Sequence, residues 1–155
     1  MEQGFVKVAS ATPRIRVADP VYNAQVICEQ AKEAAEHGAK IVVFPELCIT
    51  GYTCNDLFLQ ELLLEKAKEA LLTIAEETGQ LETLFLVGLP VDKDGRLYNV
   101  AAVLYRGRIL GMIPKKNIPM YAEFYEGRHF TPGEETVTEY RLGKQVIPFG
   151  SNLLF

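Results

Sequence analysis

The stretch Ile41-Val42-Val43-Phe44-Pro45-Glu46 determines the fold class. Four consecutive apolar residues that stop at a proline are typical of a short interior strand covered on both faces. Before it, Asp19-Pro20 supplies a helix N-cap and a proline at the first helical position, and apolar residues then recur at three- and four-residue steps up to Gly38. With a buried first strand over Phe5 to Ala11, the order is strand, helix, strand. The pattern predicts an α/β fold.

The chain beyond Glu46 continues the alternation of helices and strands. The segments that we predict there are a helix from Leu57 or Leu62 to Thr78, strands over Leu84 to Leu89, Leu97 to Tyr105, Arg108 to Ile113 and Val146 to Gly150, and the beginning of a further strand at Leu153 to Phe155. Between the third and fourth of these strands lies a long loop, Pro114 to Gly133, rich in proline and aromatic residues. Its aromatic content argues against disorder, and long ordered loops are usually functional.

Composition limits the kind of protein. The 155 residues are enough for one ordinary domain, and 48% hydrophobic with 23% charged residues is typical of a globular protein. A formal charge of −4 argues against nucleic acid as a partner. The apolar stretches are far shorter than the roughly 20 residues of a membrane helix, and no secretory signal is visible, so we expect a cytoplasmic protein without a membrane partner.

Glu46 and Lys115 are the first candidates for chemistry. Glu46 follows a buried strand, where α/β folds place catalytic groups, and Lys115-Lys116 follows another strand at the mouth of the aromatic loop. Either feature alone is more often a solvated strand end. If the fold brought the two charges into one cleft, the carboxylate could act as a general base and the ammonium could stabilise an oxyanion. Such a pair still lacks a nucleophile.

The three cysteines are weak candidates for that nucleophile. Cys28 falls on the apolar face of the first helix, where a thiol is usually inert, and neither Cys48 nor Cys54 has an activating partner that the sequence identifies. We expect reduced thiols, since no cysteine spacing indicates zinc or a disulfide framework. The two histidines, His37 and His129, are too far apart in sequence to support a metal site, and no phosphate-binding glycine loop is present.

Two sequence blocks resemble a known family, the carbon–nitrogen hydrolases of the nitrilase superfamily. They are Val43-Phe44-Pro45-Glu46-Leu47 with Gly51-Tyr52, and Lys115-Lys116-Asn117-Ile118-Pro119-Met120-Tyr121. Within that superfamily, the segment from Tyr121 to Phe130 with Pro132-Gly133 is similar to the N-terminal glutaminase domain of glutamine-dependent NAD⁺ synthetases. The resemblance covers essentially the whole chain, and Ile147 to Phe155 resembles the segment that precedes the family's nucleophile.

The resemblance implies roles for particular residues. It makes Glu46 the general base and Lys115 the catalytic lysine of a glutaminase whose nucleophile is a cysteine. Tyr121 would contact the substrate L-glutamine, and either Glu123 or Glu126 would support the lysine. No metal or other cofactor is implied for this hydrolase site. The implied fold is a four-layer α-β-β-α sandwich, of which this chain would form an incomplete part, in a homo-oligomeric parent protein.

The resemblance also implies that residues 1–155 are the N-terminal part of a longer enzyme. The family's nucleophilic cysteine follows the next strand, and Cys28, Cys48 and Cys54 match nothing in that role. The synthetase domain of the family, which would bind ATP and Mg²⁺ and amidate nicotinate adenine dinucleotide, has no counterpart here. We therefore expect the chain to be inactive alone, and an incomplete sandwich to be poorly soluble or self-associating.

Two alternatives remain open at this stage. The chain could belong to a stand-alone amidase or nitrilase that acts on another amide or nitrile, and residues past Phe155 would discriminate. It could also be a non-catalytic module that keeps the fold for binding. That last hypothesis predicts that replacing Glu46 or Lys115 leaves the function of the protein unaltered.

Overall fold

The computed structural model describes residues 4–155 and contains two long helices. Helix α1 spans Pro20–Glu36 and α2 spans Glu61–Glu77. The predicted start of α1 is confirmed, because the Asp19 side chain accepts a hydrogen bond from the Tyr22 N–H and Pro20 occupies the first turn. Ahead of α2, Tyr52–Leu59 forms an irregular 3₁₀ segment, so α2 begins closer to the later of the two predicted starts.

In the described part of the chain, residues 4–155, seven strands form one mixed sheet. They are β1 (Val8–Ser10), β2 (Ile41–Val43), β3 (Leu84–Lys93), β4 (Arg96–Tyr105), β5 (Arg108–Pro114), β6 (Thr138–Leu142) and β7 (Gln145–Phe149). The order across the sheet is β1-β2-β3-β4-β5-β7-β6. The strands β1, β2 and β3 are parallel, β3, β4 and β5 form an antiparallel meander, and β7 pairs parallel with β5 and antiparallel with β6. The α/β fold class is therefore confirmed.

The structure corrects one predicted strand boundary, adds one strand and removes another. Strand β1 is shorter than Phe5 to Ala11, since it lies at the sheet edge and pairs only with β2. Strand β6 was not predicted, although Tyr140 and Leu142 alternate with exposed residues as in a half-buried edge strand. The prediction of a strand beginning at Leu153 was wrong: those residues are irregular and lie across β5, with Leu153 and Phe155 against Gly111.

The two faces of the sheet are covered unequally. Both helices pack against one face, where alternate strand residues such as Val42, Phe85 and Val87 are fully buried in the main core. The opposite face carries Val43, Leu86 and Ala101, which are only partly buried or exposed. Residues 4–155 thus supply one sheet and one helical layer of the four layers that the resemblance implies. Neither helix of residues 4–155 is long and apolar enough to cross a membrane.

Candidate active site

Glu46 is held in a tight turn directly after β2. Leu47 adopts a positive φ of 53°, and the turn lies flat against Gly88 of β3. A Cβ at Gly88 would come within 2.4 Å of the Leu47 nitrogen and 2.8 Å of the Pro45 oxygen, so only glycine permits this approach. The Ile49 N–H donates to the Gly88 carbonyl at 3.1 Å, which secures the far side of the turn. The turn therefore has one fixed position over the open face of the sheet.

Lys115 reaches Glu46 from the end of β5. Its N–H donates to the Asn99 carbonyl at 2.7 Å, which extends the β4–β5 pairing by one residue. Its ammonium lies 2.8 Å from Glu46 Oε1, and 2.9 and 3.0 Å from the two carboxylate oxygens of Glu126. The fold therefore brings together the two charges that the sequence analysis singled out, and it adds a second carboxylate.

Glu126 belongs to a short 3₁₀ helix, Glu126–Arg128, inside the aromatic loop. It is buried, with 6% of its surface exposed, and its Oε1 also accepts a hydrogen bond from the Tyr52 hydroxyl at 2.8 Å. A buried carboxylate requires such partners, because an unpaired charge out of water is costly. Of the two supporting carboxylates left open by the sequence, Glu126 is the one that contacts Lys115. Glu123 lines a neighbouring cavity instead.

These contacts shift the acid–base behaviour of the cluster. Partial burial acts to lower the pKa of Lys115, but the hydrogen bonds and charges of Glu46 and Glu126 outweigh it, so this pKa is raised above its ordinary value. Lys115 is thus a cation at neutral pH. The pKa of Tyr52 is raised to about 12, mainly by loss of solvent around its hydroxyl and secondly by the hydrogen bond to Glu126. The Tyr52 hydroxyl therefore stays protonated and donates to Glu126.

Asn99 is a site residue that the sequence analysis missed. It lies on β4 with 4% of its surface exposed, and its Nδ2 donates a hydrogen bond to Glu46 Oε1. The signal in the sequence was a polar residue inside the apolar run Tyr98 to Leu104. Such a residue needs a hydrogen-bond partner when buried, but the sequence does not say which one.

Two cavities adjoin the cluster. One of about 510 Å³ lies over the open face of the sheet, and Glu46, Gly88, Asn99, Lys115 and Ser151 are among its lining residues. The other, of about 460 Å³, lies between the 3₁₀ segment and the aromatic loop, and both Tyr52 and Glu126 line it. Cavities of this size suit small molecules. The Glu46 side chain is 42% exposed and the Lys115 side chain 29% exposed, so both are accessible.

Tyr121 stands apart from the cluster. Its side chain is 68% exposed, and its ring packs edge-to-face on Phe124 with ring centroids 5.6 Å apart. Lys116 also stays out of the cluster: it borders the larger cavity, but its ammonium forms an exposed ion pair with Glu135. The arrangement therefore distinguishes the two adjacent lysines: Lys115 joins the carboxylates in the cluster, and Lys116 lies on the surface.

The cysteines lie outside the cluster and are buried. Burial raises the pKa of both the Cys28 and the Cys48 thiol to about 11, and it also raises that of Cys54. Cys48 and Cys54 donate to backbone carbonyls rather than to a base. A protonated, enclosed thiol is a poor nucleophile, which argues against the weak candidates Cys48 and Cys54.

The remaining histidine of interest, His129, is tied to Asp56. Its Nε2 lies 3.0 Å from Asp56 Oδ1, and Arg128 donates two hydrogen bonds to the same carboxylate. This cluster fastens the aromatic loop to the 3₁₀ segment. Within residues 4–155, no three His, Cys, Asp or Glu side chains group as a metal site requires.

Comparison with known proteins agrees with this geometry. The carbon–nitrogen hydrolase family profile matches residues 7–151. The chain is 39% identical over 154 residues to the glutamine-dependent NAD(+) synthetase of Mycobacterium tuberculosis H37Rv. The aligned region covers 99% of this chain and 23% of that protein. The chain thus spans about a quarter of the length of such relatives.

Solved structures give the same picture. A glutamine-dependent NAD(+) synthetase from Cytophaga hutchinsonii superposes with a TM-score of 0.88 at 29% identity, covering 94% of this chain and 25% of that one. An amidase from Nesterenkonia sp. superposes with a TM-score of 0.69 at 24% identity, covering 92% of this chain and 54% of that one. The second likeness concerns the fold alone.

Proposed function

The chain belongs to the carbon–nitrogen hydrolase family, and on that premise we propose that it is the N-terminal part of a glutaminase that releases ammonia from L-glutamine within a glutamine-dependent NAD⁺ synthetase. The observation that carries the proposal is the contact of Lys115 with both Glu46 and Glu126 beside a cavity. This contact unites a base, a cation and a buried supporting carboxylate. The substrate class comes from the relatives, which are glutamine-dependent NAD(+) synthetases.

Glu46 has the surroundings of a general base. It is partly exposed at the cavity wall and carries a negative charge that Lys115 balances. In the proposed reaction Glu46 takes the proton of a cysteine thiol, the S–H electron pair stays on sulfur, and the thiolate attacks the side-chain amide carbon of glutamine. The C=O π electrons move onto oxygen and give a tetrahedral oxyanion.

Lys115 stabilises that oxyanion as a fixed cation. Glu126 is buried and holds the ammonium in place, so little reorganisation is needed when the negative charge develops. The proton held by Glu46 then passes to the leaving nitrogen, the C–N bond breaks, and ammonia departs from a thioester. Water gives a proton to Glu46 while its oxygen attacks the thioester carbonyl. The C–S bond then breaks, the product L-glutamate leaves, and Glu46 returns the proton to the thiolate.

The proposal assigns the remaining parts to a longer protein. The relatives are about four times the length of this chain, since it covers 23% of them, and we assign residues 1–155 to the first part of the hydrolase domain. The nucleophilic cysteine would come from residues that follow in that protein. ATP and Mg²⁺ would serve its synthetase domain, where ammonia amidates nicotinate adenine dinucleotide. The sequence of this chain has no phosphate-binding glycine loop. None of the steps proposed for glutamine hydrolysis involves ATP or Mg²⁺.

Four finer expectations belong to the same proposal. Tyr121 is exposed on the aromatic loop, where it is available to contact glutamine, and Glu123 lines the second cavity with Glu126. A cytoplasmic location and a homo-oligomeric parent protein complete the set. Fractionation of cells and light scattering on the full-length protein would test the last two.

The test is ammonia release from glutamine by the 155-residue chain and by the full-length protein expressed from the complete reading frame. We expect activity in the full-length protein alone, and its loss by at least about 10³-fold in Lys115→Ala and in Glu46→Gln. Lys116→Ala is the matched control and should keep most of the activity, since Lys116 pairs with Glu135 and with neither Glu46 nor Glu126. Turnover by the 155 residues alone would contradict the assignment of the nucleophile.

The same assay separates the two alternatives. A panel of short aliphatic amides and nitriles replaces glutamine, and faster turnover of any of them would favour a stand-alone amidase or nitrilase. A full-length protein whose function is unaltered by Lys115→Ala and Glu46→Gln would be a non-catalytic module.

A further inference from the structure

We infer that Asn99 is a positioning residue for Glu46, and that it leaves Oε2 of Glu46 as the oxygen that accepts the proton. Asn99 is buried on β4, and its Nδ2 donates to Glu46 Oε1. Lys115 donates to the same oxygen at 2.8 Å. No residue between 4 and 155 donates a hydrogen bond to Oε2. The inference rests on the proposed function, because it assigns an atom to the step in which Glu46 acts as a base.

The sheet register explains why two donors converge on one oxygen. Val100 pairs with Pro114 across β4 and β5, and the hydrogen bond from the Lys115 N–H to the Asn99 carbonyl continues that ladder. Residues directly opposite in an antiparallel pair place their side chains on the same face. The side chains of Asn99 and Lys115 therefore project next to each other from the open face, and the Glu46 turn lies over them.

The two donors differ in what they can fix. An ammonium on a four-carbon stem is a compact charge with rotatable donors, so it attracts a carboxylate without setting the plane of that group. The Asn99 amide is planar, short and buried, and its donor direction is fixed by β4. Asn99 therefore holds Oε1 toward the sheet. Without it, Lys115 can engage both oxygens of Glu46 and leave neither free.

A free oxygen is what the proposed proton transfer requires. Hydrogen bonds from Asn99 and Lys115 occupy the lone pairs of Oε1, whereas Oε2 keeps its lone pairs free to accept a proton. The Glu46 side chain is 42% exposed at the cavity, so a thiol or water placed there can reach Oε2. In the transfer the S–H or O–H bond breaks, the new O–H bond forms at Oε2, and the electron pair stays on the donor atom.

The kinetic test uses the full-length protein with Asn99→Ala and Asn99→Asp. We expect kcat for glutamine to fall roughly 10- to 100-fold in Asn99→Ala, with KM changed less than about threefold, since a hydrogen bond to a charged group is lost while the cavity remains. In Asn99→Asp the fall should be at least as large, because a second carboxylate then faces Glu46. Asn99→Asp keeps the side-chain shape and serves if Asn99→Ala fails to fold. The control is Thr83→Val, which removes a buried hydrogen bond to the Ala39 carbonyl at the opposite end of β3.

A purely structural role for Asn99 predicts a different result. In that case Asn99→Ala and Thr83→Val would lower the unfolding midpoint alike and leave kcat of the folded protein unchanged, which would overturn the inference. A rise in KM at constant kcat would also overturn it, because Asn99 would then act in substrate binding.

A crystal structure of Asn99→Ala tests the positioning without any assay. We expect the Glu46 carboxylate to rotate so that Lys115 contacts both of its oxygens. If the Glu46 carboxylate keeps its wild-type orientation in Asn99→Ala, with Lys115 in contact with Oε1 only, the inference is overturned, even if the enzyme is active. If the wild-type protein releases no ammonia from glutamine, the proposed function fails, and the rotation of Glu46 still decides whether Asn99 positions it.

Discussion

Lys115 has a structural role as well as a chemical one. Its ammonium forms an ion pair with Glu126, whose side chain is only 5% exposed. Removing one partner of a buried pair leaves the other charge uncompensated, which is more costly than losing a surface contact. The cluster thus links the stability of the aromatic loop to the residue proposed to stabilise the oxyanion.

We therefore expect Lys115→Ala to lower the free energy of unfolding by about 2 to 4 kcal/mol, because among residues 4–155 Tyr52 alone then remains to donate a hydrogen bond to Glu126. Urea unfolding followed by circular dichroism measures the change. Adding Glu126→Gln to Lys115→Ala should restore about half of the loss, since it removes the unpaired charge. Lys116→Ala, the adjacent exposed lysine, should cost less than about 1 kcal/mol. Equal losses in Lys115→Ala and Lys116→Ala would show that Glu126 does not depend on Lys115.

At the scale of elements, the approach of β3 to the Glu46 turn depends on one glycine. Gly88→Ala places a methyl group 2.4 Å from the Leu47 nitrogen, and backbone atoms must move apart to accommodate it. We expect a loss of about 3 kcal/mol in the free energy of unfolding and a displaced Glu46. Urea unfolding measures the first effect, and ammonia release by the full-length protein measures the second.

The control for Gly88 is Gly95, in the turn between β3 and β4. It has a positive φ of 73° and no atom near the position of a Cβ, so Gly95→Ala reports backbone strain alone, of about 1 to 2 kcal/mol. It should leave ammonia release unchanged because Gly95 does not line the cavity beside Glu46. If Gly88→Ala proved as mild as Gly95→Ala and kept activity, the turn would be more adaptable than the structure indicates.

The elements also show what the sequence could and could not predict. The bounds of α1 followed from local chemistry, since Asp19 caps it and its apolar period is that of a helix. The choice of Glu126 over Glu123 depended on how the aromatic loop folds back toward Tyr52, which no local pattern encodes. Asn99 became a site residue only through the β4–β5 register. Strand β6 was missed because an edge strand with polar alternate residues resembles a loop in sequence.

At the scale of the whole molecule, the sheet has one face without a helical layer. The register aligns Val8, Ile41 and Leu84 across three strands, with Val43 and Leu86 in the next row. Val8 is 63% exposed and Val43 44% exposed, whereas Val42 on the opposite face is completely buried. Contiguous apolar surface of this kind is uncommon on an isolated soluble protein and favours association.

We therefore expect the 155-residue chain to self-associate through this face, and Val43→Lys to weaken the association by placing a charge at its centre. Sedimentation velocity across a concentration series measures the effect as a fall in the weight-average sedimentation coefficient. Val137→Lys is the matched control, because Val137 is 47% exposed but lies outside the strands. A chain that stays monomeric at every concentration, or an equal response to both substitutions, would show that the open face does not drive association. Association that Val43→Lys alone reduces would identify the open face of the sheet as the surface through which the chain associates.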